Sequence, residues 1–441
     1  MFNRLKTTGQ MVVRLVTESG GGNSVASKAA LGMRWMTASR VILEAARFLR
    51  LFILARLLSA SDFGLSGVAL FVLATVEMFS ELGFNAALVR TKNDVNEYVD
   101  TVFLTQLARC GLQAIVVYAI APALCAWMHA PDAVVLVRVS ALWLVLRGFV
   151  SPGQILATRE LQFEKIFTIN VSEAVIAVAS SAVFGLLLRS AWAIIAVMLT
   201  AQLAATVSSY WVAPFRPRFH FDRQRFRELS AFGRWVTASN AVIFLSMEAD
   251  KFLVSRYFGP TSLGFYSLAA KIASIPRLIS SELVARVALP MFAKMQGDME
   301  KLRRTYQAVE TGMICAAGAM AAIVAIFAYP TVHFILGAKW APVVAFLFIL
   351  PFSEAIRSVT IVGGEVFYAC DRPHFRFYLN LLRFLTLIVA AWFLGPRYGG
   401  VGIAVAVLIS NVAVIPYYYW AMKRTMGQKK VARFATAAGT I

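Results

Sequence analysis

Residues 34–39 read RWMTAS, and residues 234–239 read RWVTAS. Five of the six positions agree at a spacing of 200. A hexapeptide is weak evidence in an apolar chain, so the register around it decides the matter. At the same spacing Phe52 matches Phe252, Arg56 matches Arg256, Gly64 matches Gly264 and Ala69 matches Ala269. After one inserted residue, SEL at 80–82 matches SEL at 281–283. Residues 31–90 and 231–291 therefore read as two copies of one helix pair.

The composition says what kind of helix this is. Of 441 residues, 59% are hydrophobic and 15% are charged, where soluble domains run near 45–50% and about 25%. Stretches such as 314–328 and 401–421 extend into spans of the roughly 20 residues that a bilayer requires. The pattern predicts an all-α polytopic membrane protein. Twelve helices are expected, at 31–58, 63–89, 98–128, 133–157, 165–188, 191–213, 229–258, 263–293, 306–336, 341–369, 375–395 and 400–422. Six helices separate the two copies, and an even number keeps both in one orientation. Two six-helix bundles related by an axis along the membrane normal follow, as in transporters with parallel internal repeats. The expected divisions are a basic tail (1–30), a first bundle (31–214), a basic linker (215–228), a second bundle (229–426) and a C-terminal tail (427–441).

The net charge of +20 resembles that of a nucleic-acid binder only in total. Its distribution differs. One set of loops holds nearly all the loop Lys and Arg. The other set (59–62, 129–132, 189–190, 259–262, 337–340 and 396–399) holds only Arg189, Lys339 and Arg397. The positive-inside rule then puts both termini in the cytoplasm, and no nucleic-acid partner is expected. The loops on the other face are too short for an enzyme domain. The four Cys and four His are dispersed without CxxC spacing, so neither metal nor cofactor is expected.

Charges inside the spans carry the functional signal. Each costs about 2.5–3.5 kcal/mol at a bilayer centre. Arg40, Glu44 and Arg47 fall on one face of the first helix. In the second copy the equivalent stripe is Asn240, Phe244, Met247 and Lys251, flanked by Glu248 and Asp250. Lys271, Glu282 and Arg286 share a face of the eighth helix. Bases outnumber acids within the spans, so ion pairing cannot absorb them all. The excess predicts a hydrated, central cationic cavity for an anionic guest. The candidate binding residues are Arg40, Glu44, Arg47, Asn240, Asp250, Lys251, Lys271 and Arg286.

The segment 54–90 resembles the first hairpin of the polysaccharide transport family, the Wzx-type lipid-linked oligosaccharide flippases. They belong to the multidrug/oligosaccharidyl-lipid/polysaccharide exporter superfamily. The matching positions are Leu54, Arg56, Leu58, Phe63, Gly64, Gly83, Ala87 and Leu88, with Arg256, Gly264 and Tyr266 in the second copy. In character the chain is nearest the colanic-acid-exporter-like branch. The resemblance implies a bacterial inner-membrane flippase, not an enzyme, that moves undecaprenyl-pyrophosphate-linked repeat units to the periplasmic leaflet by alternating access. It implies a role in exopolysaccharide, capsule or O-antigen synthesis, with lipid-linked oligosaccharide, membrane lipid and other polysaccharide assembly proteins as partners. Two alternatives compete: a cation-coupled multidrug antiporter, whose cationic substrates fit a basic cavity poorly, and a membrane polysaccharide polymerase, which needs a catalytic loop that is not evident.

Overall fold

The computed structural model describes residues 25–80, 96–160, 162–213, 223–277, 299–370 and 372–426. Both SEL strips apart from Ser80, residues 1–24 of the expected N-terminal tail, the C-terminal tail and most of the basic linker lie outside the described residues. Twelve helical passes emerge among the described residues. They are α1 (Val25–Leu57), α2 (Ala60–Ser80), α3 (Asn96–Trp127) and a broken α4 (Val134–Ser140, then Leu142–Gly148 and Gly153–Arg159). Then come α5 (Phe163–Leu188) and α6 (Ala191–Val212). Helices α7 and α8 share the run Arg223–Ala273, divided at Gly259, whose φ of 75° favours glycine. Helix α9 is Met299–Ile326, and α10 is Leu350–Ala369, led by Val343–Leu347. Helices α11 and α12 share Pro373–Ala413, divided at Gly399, and Ile415–Met426 completes α12.

Among the described residues a helix falls on each of the twelve expected spans, with shifted ends; the later parts of the second (63–89) and eighth (263–293) lie outside the described residues. The ninth expected span, 306–336, is the largest shift: α9 starts earlier and stops at Ile326, and Thr331–Leu336 winds as a π-turn after Pro330. Proline cannot continue the hydrogen-bond ladder, so the chain loosens there. Seven stretches among the described residues are long and apolar enough to cross a membrane, the last of them a 53-residue run covering α11 and α12. Helices α1 and α7 miss that standard because they carry the charged stripes. Outward-facing side chains such as Leu187, Trp211, Phe334 and Trp392 are exposed apolar surface suited to lipid.

The chain folds as two lobes, α1–α6 and α7–α12. Within the first, α5 packs on α1 and α6; within the second, α10 packs on α9 and α11. The lobes meet chiefly where α2 lies along the α7–α8 run. Two glycines make that approach possible. A Cβ on Gly64 would overlap the carbonyl oxygen of Pro260, and a Cβ on Gly264 would overlap that of Ala60. Gly64 and Gly264 are repeat mates, and so are Ala60 and Pro260. The contact is thus reciprocal across a pseudo-two-fold axis, as the repeat requires.

A second reciprocal set seals the same end. Ser255 Oγ donates to the Met128 carbonyl at 3.1 Å, and His129 Nδ1 donates to the Arg256 carbonyl at 2.8 Å. On the other side, Trp340 Nε1 donates to the Ala55 carbonyl at 2.7 Å, and Lys339 Nζ donates to the Arg56 carbonyl at 2.8 Å. Residues 55 and 56 are the repeat mates of 255 and 256. Each lobe's third interhelical turn therefore closes over the first helix of the other. Trp340 is fully buried, with the rings of Phe63 and Phe265 edge-on at 5.2 and 5.8 Å. Burial and the neighbouring Arg56 lower the pKa of Lys339. The turn between α1 and α2 is capped by Ser59 and Asp62, whose side chains and backbone N–H groups bond reciprocally. The second Asp62 oxygen accepts from Ala191 N at 2.9 Å, which ties in the start of α6.

Replacing Gly64 or Gly264 with Ala is expected to destabilise the protein by about 1–3 kcal/mol through overpacking against backbone that cannot yield. Gly111→Ala, where a Cβ meets open space, should not. Thermal melting of the detergent-purified variants checks this; equal melting temperatures for all three would remove the interlobe role of the glycines.

Candidate functional site

The charges that disqualify α1 and α7 as apolar spans converge on two adjoining cavities. The larger, about 400 Å³, opens between the lobes. Glu44, Arg47, Phe48 and Arg50 of α1 face it, with Phe63 and Leu70 of α2, Met198 of α6, and Lys271, Ser274 and Arg277 at the end of α8. Four bases meet one carboxylate there. Arg47 and Arg50 lie about two to three turns from the sealed end of α1, near the middle of the expected span. Lys271 is accessible to solvent yet surrounded by protein, as befits a wall of a wet cavity.

Glu44 is shared between its neighbours on the helix. Its Oε1 lies 2.8 Å from Arg47 Nη1 and 3.6 Å from Arg40 Nε. Spacings of three and four residues put all three on one face. Glu173 of α5 interacts electrostatically with Arg47, Arg50 and Arg147, and Arg147 is itself paired with Glu77 of α2. The basic stripe of α1 thus has Glu173 of the adjoining α5 in electrostatic reach, while Glu44, Arg47 and Arg50 line the cavity.

The smaller cavity, about 140 Å³, lies within the second lobe. It shares Lys271, Ser274 and Arg277 with the larger one. Lys251 Nζ bonds Glu248 at 2.6 Å, and Arg277 Nε bonds Glu354 at 2.6 Å. Asp250 is held by the Tyr266 hydroxyl at 2.5 Å and by the Lys251 backbone N–H at 2.8 Å. Tyr266 is fully buried.

The structure therefore places Glu44, Arg47 and Lys271 on the larger cavity, and Asp250, Lys251 and Lys271 on the smaller. Arg40 pairs with Glu44 one turn further along the same face and is not among the residues that line either cavity. Arg286 and the side chain of Asn240 lie outside the described residues. Arg50 and Glu354 were not among the sequence candidates. Arg50 continues the Arg47 face by three residues, and Glu354 sits three residues before Arg357 in α10, so spacing alone pointed to both. No set of three His, Cys, Asp or Glu among the described residues is placed to hold a metal ion.

A profile of the family described as "Polysaccharide biosynthesis protein" matches residues 53–345. The chain is 28% identical over 323 residues to the succinoglycan biosynthesis transport protein ExoT of Rhizobium meliloti, covering 73% of this chain and 65% of that one. It is 24% identical over 419 residues to the lipopolysaccharide biosynthesis protein WzxC of Escherichia coli, covering 92% and 83%. Among solved structures, the lipid II flippase MurJ in an inward closed conformation shares the fold at a TM-score of 0.71 and 13% identity, over 90% of this chain and 89% of that one.

The ion pairs differ in what they hold. Arg277–Glu354 has side chains 25% and 19% exposed; Arg304–Glu300 has side chains 77% and 63% exposed. Glu354→Gln leaves a guanidinium without its carboxylate in a partly buried site and is expected to cost about 1–3 kcal/mol. Glu300→Gln is expected to cost less than about 0.5 kcal/mol. Melting curves in one detergent compare the two directly, and a larger loss at Glu300 would refute the ranking.

Proposed function

This chain belongs to the polysaccharide biosynthesis protein family, and on that premise we propose that it is a bacterial inner-membrane flippase for lipid-linked oligosaccharides. Its cargo is a repeat unit carried on undecaprenyl pyrophosphate, delivered from the cytoplasmic to the periplasmic leaflet. The observation that carries this reading is the basic cavity between the lobes, lined by four bases and one carboxylate, Glu44. Pyrophosphate is a compact polyanion, and guanidinium forks bind its oxygens in bidentate fashion. Arg47, Arg50 and Arg277 supply three such forks, Lys271 a point charge and Ser274 a hydroxyl. Phe48 and Phe63 offer ring faces to sugars in the same space. The prenyl tail stays in lipid.

The sign of the cavity favours this over a drug antiporter, whose usual cargo is cationic. Transport without catalysis fits the family and the short turns at the sealed end. The basic loops place both termini in the cytoplasm. The sealed end, which carries Met128–His129 and Lys339–Trp340, is then periplasmic, and the described state faces inward. Alternating access is rocking of the two halves, 31–214 and 229–426, about the α2–α8 contact. The turn contacts at the sealed end break as the cavity opens outward. Pyrophosphate entering beside Arg47 competes with Glu44 for that guanidinium, so cargo itself loosens the resting ion pair.

Export is expected to fail in Arg47→Ala while the protein still reaches the membrane. Arg47→Lys should recover part of the rate, because a point charge replaces a planar fork. The measurement is delivery of a fluorescent lipid-linked oligosaccharide across proteoliposomes; wild-type delivery by Arg47→Ala would exclude Arg47 from pyrophosphate binding. Topology has its own check. A reporter fused after Gly337 should read periplasmic and one after Asp222 cytoplasmic, and the same side for both would overturn the inward-facing assignment.

A further inference from the structure

The smaller cavity contains more positive charge than its own side chains balance. Lys251 and Arg277 are satisfied by Glu248 and Glu354. Asp250 is the one carboxylate left, and its oxygens already take the Tyr266 hydroxyl and a backbone N–H. Against it stand Lys271, Arg357 and Arg383. Arg357 is 8% exposed and Arg383 is 3% exposed. Arg383 donates only to neutral groups, from Nη1 to Asn380 Oδ1 at 2.9 Å and from Nη2 to Thr360 Oγ1 at 3.0 Å. Among the described residues, neither guanidinium has a carboxylate within ion-pairing distance.

Two further atoms are unsatisfied in the same place. Arg383 Nε and Asn411 Oδ1 are buried without a hydrogen-bond partner, and both residues line this cavity. The two do not answer each other: Asn411 Oδ1 accepts nothing from Arg383 Nε, and the Asn411 amide is held in place by its nitrogen, which donates to Ser353 Oγ at 2.7 Å and to the Val407 carbonyl at 3.1 Å. A buried donor and a buried acceptor without partners, beside two guanidiniums without a counter-charge, describe a chamber built around something that both accepts from Arg and donates to Asn.

We propose that this chamber, walled by Arg357, Arg383 and Asn411, binds a small monovalent inorganic anion of chloride size together with its residual water. The anion takes the guanidinium charge, and a water of its shell donates to Asn411 Oδ1. Size supports this occupant. At about 140 Å³ the chamber is about a third of the 400 Å³ cavity beside it, with room for a halide and its waters. It does not hold a pyrophosphate bearing a sugar and a lipid. The larger cavity next door provides the way in, past Lys271 and Ser274. The proposal does not depend on what the larger cavity carries.

The test uses the full-length protein in detergent at constant ionic strength, with sodium gluconate replaced stepwise by chloride, bromide or phosphate. Tryptophan fluorescence reports melting. Chloride and bromide at saturation are expected to raise the melting temperature by about 2–4 °C, as a ligand held by the folded state alone does. Asn380→Asp supplies Arg383 with a carboxylate of unchanged shape. It should melt in gluconate where the wild type melts in chloride, and should lose the halide response. Arg383→Gln should lose the response too; if it does not fold, Asn380→Asp still decides. Arg47→Gln, in the larger cavity, should keep it. Identical wild-type melting in chloride and gluconate overturns the proposal. So does a response to phosphate without one to halide, or one lost in Arg47→Gln and kept in Asn380→Asp. Because melting needs no transport, failure of the flippase reading leaves this result standing.

Discussion

The structure turns on a contact with no side chains in it. Gly64 sits against the Pro260 carbonyl and Gly264 against that of Ala60, and any Cβ would push the lobes apart. Everything central to the molecule is measured from that point. It sets the closeness of α2 to α8. That closeness brings the third interhelical turn of each lobe over the first helix of the other, so that Met128 and His129 meet Ser255 and Arg256 while Lys339 and Trp340 meet Ala55 and Arg56. The core at this end is correspondingly continuous across the lobes, from Leu51 to Ala404. Away from the contact the lobes diverge, and the space between them is the larger cavity.

The second organising constraint is the cost of charge in a bilayer. The hydropathy of α1 and α7 is too low for an ordinary span because each carries a charged face. A face of that kind is tolerable only toward water or toward opposite charge. The structure provides both. Glu173 of α5 interacts with the arginine stripe, and Arg147 is matched to Glu77. Arg47 and Arg50 meet the cavity. The same arithmetic holds in the second lobe until it reaches Arg357 and Arg383, where the supply of carboxylate runs out.

The repeat was legible in part because both copies keep glycine at 64 and 264, where the contact leaves no room for a Cβ; residues 56 and 256 join the contact through their backbone carbonyls, so the shared arginine there marked the register without being required by it. The helical passes were legible from hydropathy, and the Ser59–Asp62 cap falls in the short loop expected at 59–62. Less could be read where the deciding partner is distant in sequence. Nothing around Trp340 indicates that its indole will bond Ala55, 285 residues away. In the sequence Arg383 is one more base in a span; that no carboxylate among the described residues pairs with it is a property of α10, α11 and α12 together. The division of the stripe residues between two cavities likewise follows from how the helices are rotated against one another, which spacing fixes only within one helix.

The two cavities also bear on how such a machine resets. An anionic headgroup leaving a cell with an inside-negative potential gains about 2.3 kcal/mol per charge per 100 mV, so the outward half-cycle runs with the field. The return half-cycle carries the emptied basic cavity, and its arginines must be neutralised or move against that field. In the described state Glu44 already lies between Arg40 and Arg47, which is the arrangement an empty site requires: pairing lowers the charge that crosses. Lys271 and Arg277 have no such partner on α1; Arg277 takes Glu354 from α10, on the wall of the smaller cavity. Neutralising the two halves of the site thus relies on different lobes. One half is balanced within a single helix and travels with it. The other depends on how α8 is seated against α10, so any rocking that alters that seating also alters the charge presented to the cargo.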